Sequence, residues 1–116
     1  MVNGLWTMKI QANTGKTAFG VAVFADGKIL GGDSGYYYAG TYSVQGEMLT
    51  GEVKATSYSG IISSLFGSPA GTIKVKGKIE ETAFLLSGHV AQQPGVTVII
   101  RGTKREACRG LKPHVF

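Results

Sequence analysis

Apolar and polar residues alternate along most of the chain. In Thr72–Glu80, Ile73, Val75, Gly77 and Ile79 fall on one face, and Thr72, Lys74, Lys76, Lys78 and Glu80 on the other. A period of two is the repeat of a pleated strand with one wet face. Met48–Thr56 repeats it, with Leu49, Gly51, Val53 and Ala55 against Met48, Thr50, Glu52 and Lys54. Val96–Gly102 does the same, with Val96, Val98, Ile100 and Gly102 on one side. Leu5–Gln11 groups Trp6, Met8 and Ile10, and Tyr36–Val44 groups Tyr36, Tyr38, Gly40, Tyr42 and Val44. Lys28–Gly32 and Ala83–Val90 are further strands, and Thr17–Phe24 is apolar on both faces. The pattern predicts about eight strands.

The connections are short. Asp26-Gly27 between two apolar runs is a hairpin signal, because glycine takes a positive φ without penalty. Gln45-Gly46, Asn13-Thr14-Gly15, Glu80-Glu81-Thr82 and Gln92-Gln93-Pro94-Gly95 supply the other turns. Strands joined in this way are antiparallel neighbours. Ser59–Gly71 breaks the rhythm. There Ile61, Ile62, Leu65 and Phe66 share one face of a short helix, bracketed by Gly60 and Gly67 and stopped by Pro69. Residues 106–116 read as an irregular tail.

Glycine changes the picture next. It makes up 18 of 116 residues, about twice the usual ~7%. Gly20, Gly40, Gly51, Gly77, Gly88 and Gly102 all fall inside strands, where glycine needs a reason: curvature, close backbone approach or removed volume. Small inward positions beside large ones suit a sheet coiled into a closed barrel, which also removes sticky edges. The expectation is a single all-β domain over residues 1–116. It is an antiparallel up-and-down eight-stranded barrel with one short helix. A barrel of that size is either packed solid or holds one small ligand, and the glycines are compatible with both.

Composition then narrows the function. No apolar run approaches the ~18 residues of a membrane-spanning helix, and Met1–Trp6 lacks the charged and apolar regions of a signal peptide. The single cysteine, Cys108, can form neither an intrachain disulfide nor a zinc cluster, which points to a reducing, cytoplasmic setting. The net charge of +5 permits contact with nucleic acid or an anionic membrane and is also ordinary solubility charge. Lys74, Lys76 and Lys78 line one strand face, and Lys104, Arg105, Arg109 and Lys112 follow the last strand. No aromatic residues are interleaved with them, as a nucleic-acid surface would require.

Chemistry-bearing motifs are sparse. Gly15-Lys16-Thr17 matches the end of a phosphate loop, but Ile10 stands where the upstream glycine belongs and a strand follows. Asp33, Ser34 and His89 can be written as a triad, with nothing in their spacing to bring them together. His89 falls on the polar face of its strand, His114 lies in the tail, and no metal-ligand spacing occurs. Cys108 lies among Lys104, Arg105 and Arg109, which could lower its pKa, but the stronger reading is a bystander thiol in the tail. The expectation is a non-enzyme without cofactor or metal.

The most unusual stretch is Gly31-Gly32-Asp33-Ser34-Gly35-Tyr36-Tyr37-Tyr38. It predicts a sharp turn in which Asp33 accepts nearby backbone N–H groups, followed by tyrosines that split between faces. Tyr36, Tyr38 and Tyr42 give the barrel an amphipathic inner wall if they point inward, or a partner surface if outward.

Asn3-Gly4-Leu5-Trp6, Ala25-Asp26-Gly27-Lys28, Ile29–Tyr36 and Tyr38-Ala39-Gly40-Thr41-Tyr42 together resemble the GrlR family of negative regulators of type III secretion, over roughly residues 1–103. The resemblance implies a lipocalin-like barrel, an apolar interior that takes a lipid-like molecule, a homodimer, and repression through a protein activator rather than through DNA. It maps the family's acidic loop onto the hairpin Ser43-Val44-Gln45-Gly46-Glu47, which carries one acid. Gln45, Gly46 and Glu47 are therefore the candidate partner contact. The candidate lumen residues are Trp6, Met8, Tyr36, Tyr38, Tyr42, Val53, Ile73, Val75, Val98 and Ile100. The second expected function is a carrier or sensor of a lipid-like molecule with no protein target.

Overall fold

A computed structural model describes residues 2–60 and 68–107. Eight strands follow in order: β1 (Gly4–Ala12), β2 (Thr17–Ala25), β3 (Lys28–Gly32), β4 (Tyr36–Gln45), β5 (Met48–Ser57), β6 (Ala70–Ile79), β7 (Ala83–Val90) and β8 (Gln93–Ala107). Each pairs antiparallel with its neighbours in sequence, and β1 pairs with β8, so the sheet closes on itself as an up-and-down barrel. The alternation read from the sequence is the in–out alternation of the wall. Trp6, Met8 and Ile10, Leu49 and Ala55, Ile73, Val75 and Ile79, and Val98 and Ile100 are all buried.

The hairpins follow turn chemistry. Asp26 and Gly27 both have positive φ, 50° and 85°, which matches the right-handed twist of the strands they join. The Asp26 amide donates to Asn3 Oδ1 at 3.1 Å, and Asn3 Nδ2 returns a bond to Asp26 Oδ1 at 3.1 Å. The residues leading into β1 are thereby tied to the β2–β3 hairpin. Trp6 Nε1 donates to the Val2 carbonyl at 2.9 Å, which seals this end of the barrel.

Three boundaries differ from expectation. The β7–β8 turn is Ala91-Gln92, and β8 begins at Gln93, where a register shift beside Val90 absorbs Pro94. The last strand also runs to Ala107, because Glu106 and Ala107 pair with Leu5 and Gly4, so these two residues of the expected tail are strand and the rest of it lies outside the described residues. β6 begins at Ala70. The helix expected within Ser59–Gly71 falls on residues 61–67, outside the described residues, among which there is no helix.

The interior glycines serve closure. A Cβ on Gly40 would strike the Glu52 carbonyl oxygen and lie 2.8 Å from Val53 Cα. One on Gly77 would strike the Leu85 carbonyl oxygen and lie 2.8 Å from Leu86 Cα. At Gly102 the missing side chain makes room for the Phe84 ring. Neighbouring backbone and one ring occupy the removed volume, which leaves none of it as open space. Gly40→Ala or Gly77→Ala therefore forces the strands apart, costing about 1–3 kcal/mol as overpacking does. Gly95→Ala, with nothing within 4 Å of its added Cβ, leaves stability nearly unchanged. Urea unfolding of the three variants checks this.

Candidate functional site

The two ends of the barrel are filled differently. At one end, Trp6, Phe24, Phe84 and Tyr42 form an aromatic plug with ring centroids 4.9–6.0 Å apart. The ammonium of Lys104 lies 6.0 Å from the Trp6 ring centroid. Above this plug the barrel encloses a cavity of about 700 Å³, within the ~300–1,000 Å³ usual for small-molecule sites. Phe24, Phe84 and Met8 line its deep end next to the plug. Ile10, Ile29, Val53, Ala55, Ile73, Val75, Leu86 and Ile100 line it further, with Tyr36 and Tyr38 towards the other end. No polar or charged residue other than tyrosine is buried among the described residues.

The open end is built around Asp33. Its Oδ1 accepts the amides of Gly35 at 2.9 Å and Tyr36 at 2.8 Å, while Oδ2 accepts the Tyr38 hydroxyl. This is the side-chain turn that the Gly-Gly-Asp-Ser-Gly stretch calls for. The Tyr58 hydroxyl donates to the Asp33 carbonyl at 2.8 Å, and the Tyr36 hydroxyl donates to the Ser68 carbonyl. Burial pushes the Tyr38 phenol far above its ordinary value, and the hydrogen bond to Asp33 and the Asp33 charge push it the same way.

The strands that meet here are of unequal length, nine residues in β2 and five in β3. Thr17–Gly20 pair with β1, but β3 reaches only to Gly32, opposite Val21. The first four residues of β2 thus extend past the end of β3, although Gly20 still lies close against Gly32 and Asp33. Lys16, Thr17, Ala18 and Phe19 line the cavity on one lip, and Asp33, Ser34, Gly35 and Ser59 on the other.

Seven of the candidate lumen residues line this cavity: Met8, Tyr36, Tyr38, Val53, Ile73, Val75 and Ile100. Three do not. Trp6 lies in the plug, beneath the rings of Phe24 and Phe84. Tyr42 packs 5.2 Å from Phe24, and its hydroxyl donates to Asn3 Oδ1 at 3.2 Å, near a separate shallow depression lined by Val2, Asn3, Gly27, Ser43 and Val44. Val98 is buried in the core cluster away from the cavity. Ile10, Ile29, Phe84 and Leu86 were missed, although their inward parity is the same readable signal. Lys16 was missed because its only apparent role was in a failed phosphate-loop match.

The triad residues are not assembled. His89 is exposed on the outer face of β7, where it pairs with Lys74 and Thr97, while Asp33 is engaged in its own turn. In the Gln45-Gly46-Glu47 hairpin, Glu47 stands 3.8 Å from Lys78. Cys108 lies outside the described residues. Among those residues there is no cluster of metal-ligating side chains, and no helix is long and apolar enough to cross a membrane.

The chain is similar in structure to a redesigned beta barrel, with a TM-score of 0.66 over 90% of this chain and 92% of that one, at 14% identity. At that identity the likeness is one of fold. No family model and no curated protein matches the chain.

The tyrosine at the open end gives the barrel a pH signature. The folded chain holds the Tyr38 proton more tightly than the unfolded chain does. Its contribution is therefore complete below about pH 10, the ordinary phenol value, and is lost as pH rises above it. Urea midpoints of the wild type should fall more steeply than those of Tyr38→Phe between about pH 9 and 11.

Proposed function

We propose that this chain is a binding protein that takes a lipid-like molecule into its barrel, as a carrier or sensor without chemistry of its own. The observation that carries this reading is the lumen: about 700 Å³ of space walled mainly by aliphatic and aromatic side chains, with the aromatic plug beneath it. Each methylene of a ligand buried there contributes about 0.8 kcal/mol, and the tyrosines near the mouth supply polar orientation. The test is binding of the neutral apolar probe N-phenyl-1-naphthylamine to delipidated protein, read as fluorescence enhancement. Val53→Phe, which projects a ring into the lumen, should weaken the probe by roughly tenfold or more, the factor that about 1.4 kcal/mol of steric cost produces. Absence of enhancement with the wild type overturns the reading.

A second reading, regulation through a protein contact as in the GrlR family, is favoured by a different observation. The outer face of β2–β4 carries Phe19, Val21, Val23, Leu30 and Tyr37, between 38% and 70% exposed. The strand register makes them neighbours, with Val23 opposite Leu30 and Gly32 between Val21 and Tyr37. An outward apolar stripe ending in an exposed tyrosine has the makeup of an interface, whether with a second copy or with another protein. The Gln45–Glu47 hairpin suits that role less well, since its single acid is already matched by Lys78. If the stripe joins two copies, light scattering gives a dimer for the wild type and a monomer for Leu30→Lys. A wild type that stays monomeric at high concentration removes the homodimer.

A further inference from the structure

We infer that the lumen ligand is an amphipathic monoanion, a straight-chain carboxylate, that enters tail first at the rim formed by residues 16–19 and the Asp33–Gly35 turn and leaves its headgroup at Lys16. The inference rests on the reading of the lumen as a ligand site and adds the chemistry of the ligand.

The interior decides where a charge can go. No charged side chain is buried among the described residues, and the tyrosine protons are committed: Tyr38 donates to Asp33 and Tyr36 to the Ser68 carbonyl. A carboxylate at the floor would lose its hydration with no donor in return, a heavy penalty for a buried ion. The charged end must therefore stay at the mouth while the tail fills the apolar depth.

The mouth decides the sign. Among the lining residues Lys16 is the single cation and Asp33 the single anion. Asp33 accepts three donors, two backbone amides and the Tyr38 hydroxyl, so both of its oxygens are engaged in holding the turn. Lys16 makes no ion pair among the described residues. It stands immediately before β2, next to the last paired residues of the β1–β2 hairpin, where its carbonyl accepts the Ala12 amide at 2.9 Å and it lines the cavity. Its ammonium can swing over the opening on a flexible stem and meet a headgroup there. The hydroxyl-bearing residues Thr17, Ser34 and Ser59 ring the same opening. A cationic headgroup would meet the positive charge of Lys16 and a carboxylate already surrounded by donors.

The experiment uses the full-length delipidated chain and displacement of N-phenyl-1-naphthylamine by decanoate, 1-decanol and decylamine, three tails of one length with different heads. Decanoate should displace the probe best and decylamine worst. Lys16→Met should weaken decanoate a few-fold and Lys16→Glu by about tenfold, as expected for a partly exposed ion pair turned repulsive. Both variants should leave decanol within about twofold, because the lumen that buries its tail is unaltered. Raising the salt concentration should erode the preference for decanoate in the wild type alone. Equal displacement by all three ligands, a preference for decylamine, or insensitivity of decanoate to Lys16→Glu overturns the headgroup assignment and leaves the lumen reading standing. A probe that never binds the wild type overturns the lumen reading itself. Lys16 is exposed, so circular dichroism of both variants should match the wild type.

Discussion

Closure of the sheet between β1 and β8 is the constraint on which everything else depends. Eight strands can return to their starting point only if the sheet coils tightly, and tight coiling brings inward positions on one strand against the backbone of the next. Gly40 and Gly77 sit where that approach leaves no room for a side chain, and Gly102 yields its place to Phe84. With the ring closed, no strand edge is left unpaired over its whole length, and the inward faces of all eight strands are committed to a single interior.

That interior is divided along its axis. Large aromatics gather where Val2 and Asn3 fold over the β2–β3 hairpin, and there the barrel is solid. Toward the other end the inward residues of β2 and β5 are smaller, Ala18 and Ala55 among them, and the wall stands away from its opposite side. On the β1–β8–β7 side of the same end, Ala12 and Val98 are register partners and, with Val90, are buried in the core. The open space is thus displaced toward β2–β5, next to the place where β3 ends early.

Which way each side chain points was legible, because alternation has a period of two and a barrel wall has two sides. Height along the barrel was not. Trp6, Tyr42 and Val98 share the inward parity of Met8 and Ile100, yet they lie in the plug or the packed side, since parity carries no information about which layer is filled. The Asp33 turn was legible from its own residues, because an aspartate flanked by glycines bonds locally. The place of Lys16 at the edge of the cavity was not, because it depends on β3 being five residues long beside a β2 of nine, a mismatch that matters only once the strands are paired. The two explanations of the interior glycines could be separated only by knowing what stands where the missing side chains would be.

Phe19 belongs to two surfaces at once. It is the most exposed member of the outward stripe on β2–β4, and it also lines the lip of the opening. Anything that covers the stripe at Phe19 therefore stands on the threshold of the lumen, and a guest protruding from the lumen alters what the stripe presents. Were a ligand to bind in the lumen and a partner on the stripe with contact at Phe19, the two would be thermodynamically linked, and whatever one did to the affinity of the other would be returned in equal measure.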